Sequence, residues 1–214
     1  MVSKKMNILF FLSVLIACHV LIDYNTSSQQ IFIKTPADLE GPFYPLEHQT
    51  DEDNDLTMFH GSVKSRMSHG RPIRALGEIL NLSGIVTDSN GKPQKGITIE
   101  IWQTDAKGLY KHPIDKNPGE RDPYFQYRGK MTTIDDGKFF FKTLVPGEYQ
   151  PRPAHIHFNV WKNGKLIFTS QMYINKKIKG TEQNPQLSSI NDLLKLNLTP
   201  AGPGGYEGFF QIVI

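Results

Sequence analysis

Residues 155–174 hold the strongest constraint on what this chain can fold into. Two runs rich in β-branched and aromatic side chains, 155–161 and 166–174, are separated by Asn163 and Gly164. Asn-Gly readily supplies the positive φ that a two-residue hairpin turn demands, so the runs are expected to pair as antiparallel neighbours. Similar short runs recur at 78–86, 96–103, 138–143 and 209–214, with turn-forming stretches such as Ser89, Asn90 and Gly91, or Asp135, Asp136 and Gly137, between them. No long helical period competes; residues 187–196 fit one or two helical turns. Many short strands at this spacing predict an all-β fold, an antiparallel β-sandwich over residues 76–214. Residues 31–75 read as an irregular N-terminal arm, punctuated by Pro36, Gly41, Pro42 and Pro45 and acidic over 51–55. By composition alone such a stretch reads as a floppy leader.

The first thirty residues follow another logic. Lys4 and Lys5 precede an apolar run over 8–17, too short to span a bilayer and typical of an export signal. Leu15, Ile16, Ala17 and Cys18 resemble a lipoprotein processing box. Residues 1–17 are therefore expected to be a lipoprotein-type signal peptide and 18–30 a polar tether. The expected location is exported: periplasmic or outer-membrane, anchored by lipid on Cys18, with ordinary secretion as the alternative. Cys18 is the only cysteine, so the exported domain has no internal disulfide. Lys and Arg total 24 against 21 Asp and Glu, a net charge of +3; without Lys4 and Lys5 it is 22 − 21, or +1. No basic excess points to nucleic acid.

The 155–161 run also carries chemistry. Strand side chains alternate between faces, so His155 and His157 share one face while Ile156 and Phe158 take the other. Two imidazoles so placed are a ready half of a metal site, the competing reading being two packed or surface histidines on an ordinary strand. A thiolate site is excluded, since the single cysteine lies in the signal segment. Residues 151–158 contain no Asp or Glu, which counts against a zinc hydrolase built on a His/carboxylate set. Tyrosines are at hand. Tyr149 precedes the pair and, if the backbone stays extended through Pro151 and Pro153, points to the same side; Tyr110 ends Gly108, Leu109, Tyr110. Tyr124, Tyr127 and Tyr173 are possible substitutes. Phenolate favours ferric iron, and two Tyr with two His would leave Fe(III) one net positive charge.

The order of motifs resembles the intradiol ring-cleavage dioxygenases, the family of protocatechuate and catechol dioxygenases. The matching residues are Thr35 and Pro36 with Glu40, Gly41, Pro42, Phe43 and Tyr44; Leu82 to Asp88 with Gly91, Lys92 and Pro93; Ile99, Glu100, Ile101, Trp102 and Gln103 with Gly108, Leu109 and Tyr110; Pro146, Gly147, Glu148 and Tyr149; Arg152 to Phe158; and Gln171, Met172 and Tyr173. They span roughly residues 35–175 in the family's order. The resemblance implies a β-sandwich enzyme with Fe(III) held by Tyr110, Tyr149, His155 and His157. It also implies a catechol-type substrate cleaved with O₂ between its two hydroxyl-bearing carbons to a cis,cis-muconate-type diacid. Tyr149 would leave the metal when substrate binds and take up a proton. Arg152 would stabilise charge developing on the substrate, and Gln171 would lie near the iron pocket. Protocatechuate members pair two different chains; a homo-oligomer is open for this one. The competing reading from another class is a non-catalytic exported sandwich that binds aromatic or carbohydrate ligands.

Overall fold

The structure is a computed structural model that describes residues 31–46, 53–58, 67–68, 71–72, 74–176 and 185–214. The expected signal segment, Cys18 and the tether lie outside the described residues. Among those described, β1 (Met67–Ser68) and β2 (Arg71–Pro72) form a minimal antiparallel pair. The remaining strands form one 8-stranded sheet. They are β3 (Ile79–Thr87), β4 (Ile97–Trp102), β5 (Arg128–Thr132), β6 (Lys138–Leu144), β7 (His155–Lys162), β8 (Lys165–Lys176), β9 (Lys195–Pro200) and β10 (Gly205–Val213). Their order is β5-β4-β7-β8-β9-β10-β3-β6. The two halves of that series fold over one apolar core, where Phe158 of β7 meets Phe210 of β10 edge to face at 5.7 Å.

The all-β expectation holds, with two refinements. Neighbours are antiparallel except β8–β9 and β10–β3, which are parallel. The stretch expected to be helical becomes two 3₁₀ turns, Pro185–Ser189 and Asp192–Leu194, followed by β9. The Asn-Gly hairpin forms as expected, with φ of 52° at Asn163 and 73° at Gly164.

The edges of the sheet do not stay open. Asp53 exchanges backbone hydrogen bonds with Lys130 of β5, while Leu56 donates to Lys142 of β6 and Asn54 accepts from it. This segment of the arm ties β5 to β6 and inserts the fully buried Leu56 into the core, removing edges that would otherwise seek partners.

Burial along the strands locates the functional face. In β6, Phe139 and Phe141 are buried while Lys138 and Phe140 are exposed, the alternation of a strand with one wet face. In β7 six consecutive residues, His155 to Val160, are buried. Ile156, Phe158 and Val160 enter the core. His155, His157 and Asn159 face the other way and are covered there by the arm. Thr35 donates its backbone N–H to Val213, Asp38 donates to Thr169, and Ser170 Oγ donates to the Pro36 carbonyl.

Candidate metal centre

Two Gly-x-Tyr turns bring the tyrosines together. Gly108 has φ +81°, and a Cβ there would lie 2.2 Å from the Glu148 carbonyl oxygen; a Cβ on Gly147 would lie 2.3 Å from Gly108 N. The two backbones touch where only glycine fits, so Tyr110 and Tyr149 leave the contact side by side, ring centroids 5.7 Å apart. Buried Asp105 organises the crossing. Its Oδ1 accepts the N–H groups of Lys107 and Leu109, and its Oδ2 accepts that of Asp122 and the Tyr127 hydroxyl. Asp115 Oδ2 accepts the Tyr110 N–H at 2.8 Å, and Arg121 Nε donates to the Tyr110 carbonyl. Tyr110 is thus clamped through its own backbone.

Opposite it, β7 presents the two histidines. Tyr110 Oη lies 3.0 Å from His157 Nε2 and 3.4 Å from His155 Nε2, and the two Nε2 atoms are 3.1 Å apart. Three donor atoms from two loop-separated elements share one spot. The Pro153 carbonyl lies 2.6 Å from His155 Nδ1. A carbonyl can only accept, so Nδ1 carries the proton and Nε2 offers a lone pair to the cluster. His157 Nδ1 is buried with no hydrogen-bond partner among the described residues. No hydrogen bond at Nδ1 fixes the tautomer; in the metal-free site the ring proton can rest on Nε2 against His155 Nε2 or Tyr110 Oη, and it would pass to Nδ1 when Nε2 becomes a ligand atom. Burial pushes His155 down to about 4 and His157 well below the usual histidine range, and Arg152 nearby adds to both. Burial pushes the Tyr110 phenol up. Neutral imidazoles and a desolvated phenol crowded at hydrogen-bond distance are a donor set that a cation would relieve. Among the described residues no group of three His, Cys, Asp or Glu gathers; the third donor is the phenol, which suits ferric iron.

Tyr149 is brought near but not into the triangle. It is half-buried, edge-on to Phe43 at 5.1 Å and to Tyr110, and its hydroxyl is bonded to none of the three donors. The backbone is not extended through 149–153 as the shared parity with His155 required. Arg152 N–H donates to the Tyr149 carbonyl at 2.7 Å across a tight turn containing a cis Gln150–Pro151 bond. Tyr149 reaches the site from the loop contact instead. Of the substitutes, Tyr127 is spent on Asp105 and belongs to the core. Tyr124 lies on the same loop, its backbone N–H given to Asp122. Tyr173 is on the site face but donates to Asp38 Oδ2 at 2.9 Å.

Arg152 stands beside this cluster. Its Nη2 donates to Gln171 Oε1 at 2.6 Å and to the Tyr173 hydroxyl. Among the described residues no carboxylate pairs with it directly. Gln171 and Tyr173 lie opposite His157 and His155 in the β7–β8 register. Trp102, opposite His157 on β4, stacks on its ring at 4.8 Å and 7°. Tyr44 packs edge-on to Trp102 and donates to buried Glu100, while Phe43 stacks on Tyr110 at 4.7 Å. The motif residues Phe43, Tyr44, Glu100 and Trp102 had no assigned role in the sequence, and Asp38, Asp105 and Asp115 stood out not at all. Strand parity with His157 would have found Trp102, since an aromatic on the neighbouring strand's like face must meet it.

A family model described as dioxygenase matches residues 39–194. Over 145 residues the chain is 35% identical to the protocatechuate 3,4-dioxygenase beta chain of Burkholderia cepacia, covering 64% of this chain and 57% of that one. Over 158 residues it is 30% identical to catechol 1,2-dioxygenase 1 of Acinetobacter lwoffii, covering 65% and 46%. The chain thus spans about half the length of these relatives. Among solved structures, the dioxygenase domain of a dioxygenase–carbohydrate-binding fusion from Streptomyces sp. SirexAA-E is 27% identical with a TM-score of 0.58, covering 85% of this chain and 98% of that one. An intradiol ring-cleavage dioxygenase from Tetranychus urticae shares the fold at 23% identity and a TM-score of 0.63, covering 86% and 95%. This chain belongs to the intradiol ring-cleavage dioxygenase family.

Proposed function

We propose that the protein is a non-haem Fe(III) intradiol dioxygenase that opens a catechol-type ring between its hydroxyl-bearing carbons to a cis,cis-muconate-type diacid. The observation that carries this reading is the convergence of Tyr110 Oη, His155 Nε2 and His157 Nε2 within 3.0 to 3.4 Å of one another. These three would hold iron, with Tyr149 as the fourth and releasable ligand. Bound iron would draw electron density from a chelated catecholate and so make the ring reactive toward O₂. Tyr149 Oη, once free, would take up a proton given up by the incoming catechol. Phe43, Trp102 and Tyr44 would keep water from the reacting ring. Arg152, always charged, would stabilise negative charge developing on the substrate. Purified protein should hold iron, show a burgundy tyrosinate charge-transfer band, and consume O₂ with catechol or a substituted catechol to give the ring-opened diacid. Iron-loaded protein that binds catechols yet takes up no O₂ across such a series would overturn the activity.

The N-terminal expectations remain proposals of the same kind: cleavage before Cys18, lipid attachment there, and export. Cys18→Ser should leave the precursor unprocessed or release the protein from membranes. Unchanged processing and fractionation would rule the anchor out.

A further inference from the structure

The Arg152 guanidinium is held at Nη2 by two groups, Gln171 Oε1 and Tyr173 Oη. Each is in turn anchored by one of two adjacent arm residues. Gln171 Nε2 donates to the Leu39 carbonyl at 2.6 Å, and Tyr173 Oη donates to Asp38 Oδ2 at 2.9 Å. Gln171 is fully buried, and Tyr173 is 3% exposed, so neither is free to choose another partner from water. Asp38 is placed with equal care: its Oδ1 accepts the Leu39 N–H at 2.7 Å and its backbone N–H bonds to Thr169 of β8. Resting on the proposed dioxygenase reading, we propose that Asp38 is a positioning residue for Arg152, acting through Tyr173.

The logic lies in hydrogen-bond polarity. A phenol has one proton. With Asp38 accepting it, the Tyr173 oxygen turns its lone pairs to Arg152 and accepts from Nη2. Asp38→Asn keeps the size of the side chain and lets Oδ1 retain the Leu39 N–H. The amide nitrogen then faces Tyr173 Oη as a donor, the phenol proton loses its acceptor, and Arg152 meets a competing donor where it had a lone pair.

Two measurements test this. The crystal structure of iron-free Asp38→Asn should show the guanidinium displaced from Tyr173 while Tyr110, His155 and His157 stay in place; an unmoved Arg152 would overturn the proposal whatever the protein catalyses. In the iron-loaded protein, kcat should fall on the order of 10-fold to 100-fold, the range for residues that orient a functional group. KM for catechol and the charge-transfer band should hold. Tyr173→Phe should give a similar loss, and the double variant should be no worse than either single one. Additive losses, or loss of iron in Asp38→Asn, would overturn the proposal. A wild-type protein inactive on every catechol would defeat the dioxygenase reading alone, since Arg152 would still move in the iron-free variant.

Discussion

Tyr110 and Tyr149 occupy the same kind of motif, a glycine followed two residues later by a tyrosine, and their glycines touch. The two halves of that contact are built differently. Tyr110 is 3% exposed, its backbone gripped by Asp115 and Arg121, and its hydroxyl meets both imidazoles. Tyr149 is half-buried, held edge-on by Phe43 and Tyr110, and sits at the start of a tight turn. One tyrosine is locked by its surroundings and the other is only leaned upon. The proposed site, which would have to keep its metal while opening a place for substrate, would need one ligand of each kind.

The sharpest break of this comparison removes the locked half. His157→Ala or Tyr110→Phe should lose iron outright, read as metal content and loss of colour, because each deletes one of three converging donors. Either variant keeping full iron would show that the convergence is not the metal centre. Arg152→Leu should keep its iron and its red colour and still shift the band on adding catechol. Its turnover should fall on the order of 10²–10³, as for loss of a positioned charge stabiliser. Normal turnover would reduce Arg152 to a tether for Gln171 and Tyr173; loss of iron would make it a support of the metal shell.

The locked half should also be visible in stability. His155 titrates near 6.5 when unfolded and is pushed down to about 4 in the fold, chiefly by burial. Between those values the unfolded chain binds more protons, so stability is full above about pH 6.5 and is lost as pH falls toward 4. A shift of this size is worth about 3 kcal/mol, and His157 moves in the same direction. Denaturant midpoints of iron-free protein should fall across this window, and His155→Gln should flatten the slope. An equal slope in that variant would assign it to other groups.

The hairpin that opens the sequence reading shows what was legible and what was not. The Asn-Gly turn, the strands around it and the shared face of His155 and His157 follow from local pattern. The partners of those histidines do not. From the turn, Lys162 pairs Lys165 and Trp161 pairs Leu166, a register that would set His157 against Ser170. A bulge between Val160 and Trp161 shifts the strand by one residue and sets His157 against Gln171 and His155 against Tyr173. One slipped residue moves every side chain to the other face, and no local signal announces it. β5 was missed because Arg128 to Thr132 carries little β-branched or aromatic character. The links from Asp38 and Leu39 to β8 join residues more than 130 apart in sequence, beyond any periodicity.

The finest test acts on the loosely held half alone. Tyr149→Phe keeps the ring that packs on Phe43 and Tyr110 and removes only the hydroxyl, so folding should be unaffected. The three donors that converge on one spot remain, and iron should stay bound, with the charge-transfer band moved because one phenolate is gone. If Tyr149 Oη is the group that takes the substrate's proton, turnover should fall by about 10², the low end of what a positioned base contributes. The same variant should bind catechol with no proton transferred to the protein at this position, measurable as a change in protons released on binding. Loss of iron in Tyr149→Phe would erase the distinction between the two tyrosines and make both structural ligands. Wild-type turnover with an unmoved band would place Tyr149 outside the metal centre, leaving the work to Tyr110, His155 and His157.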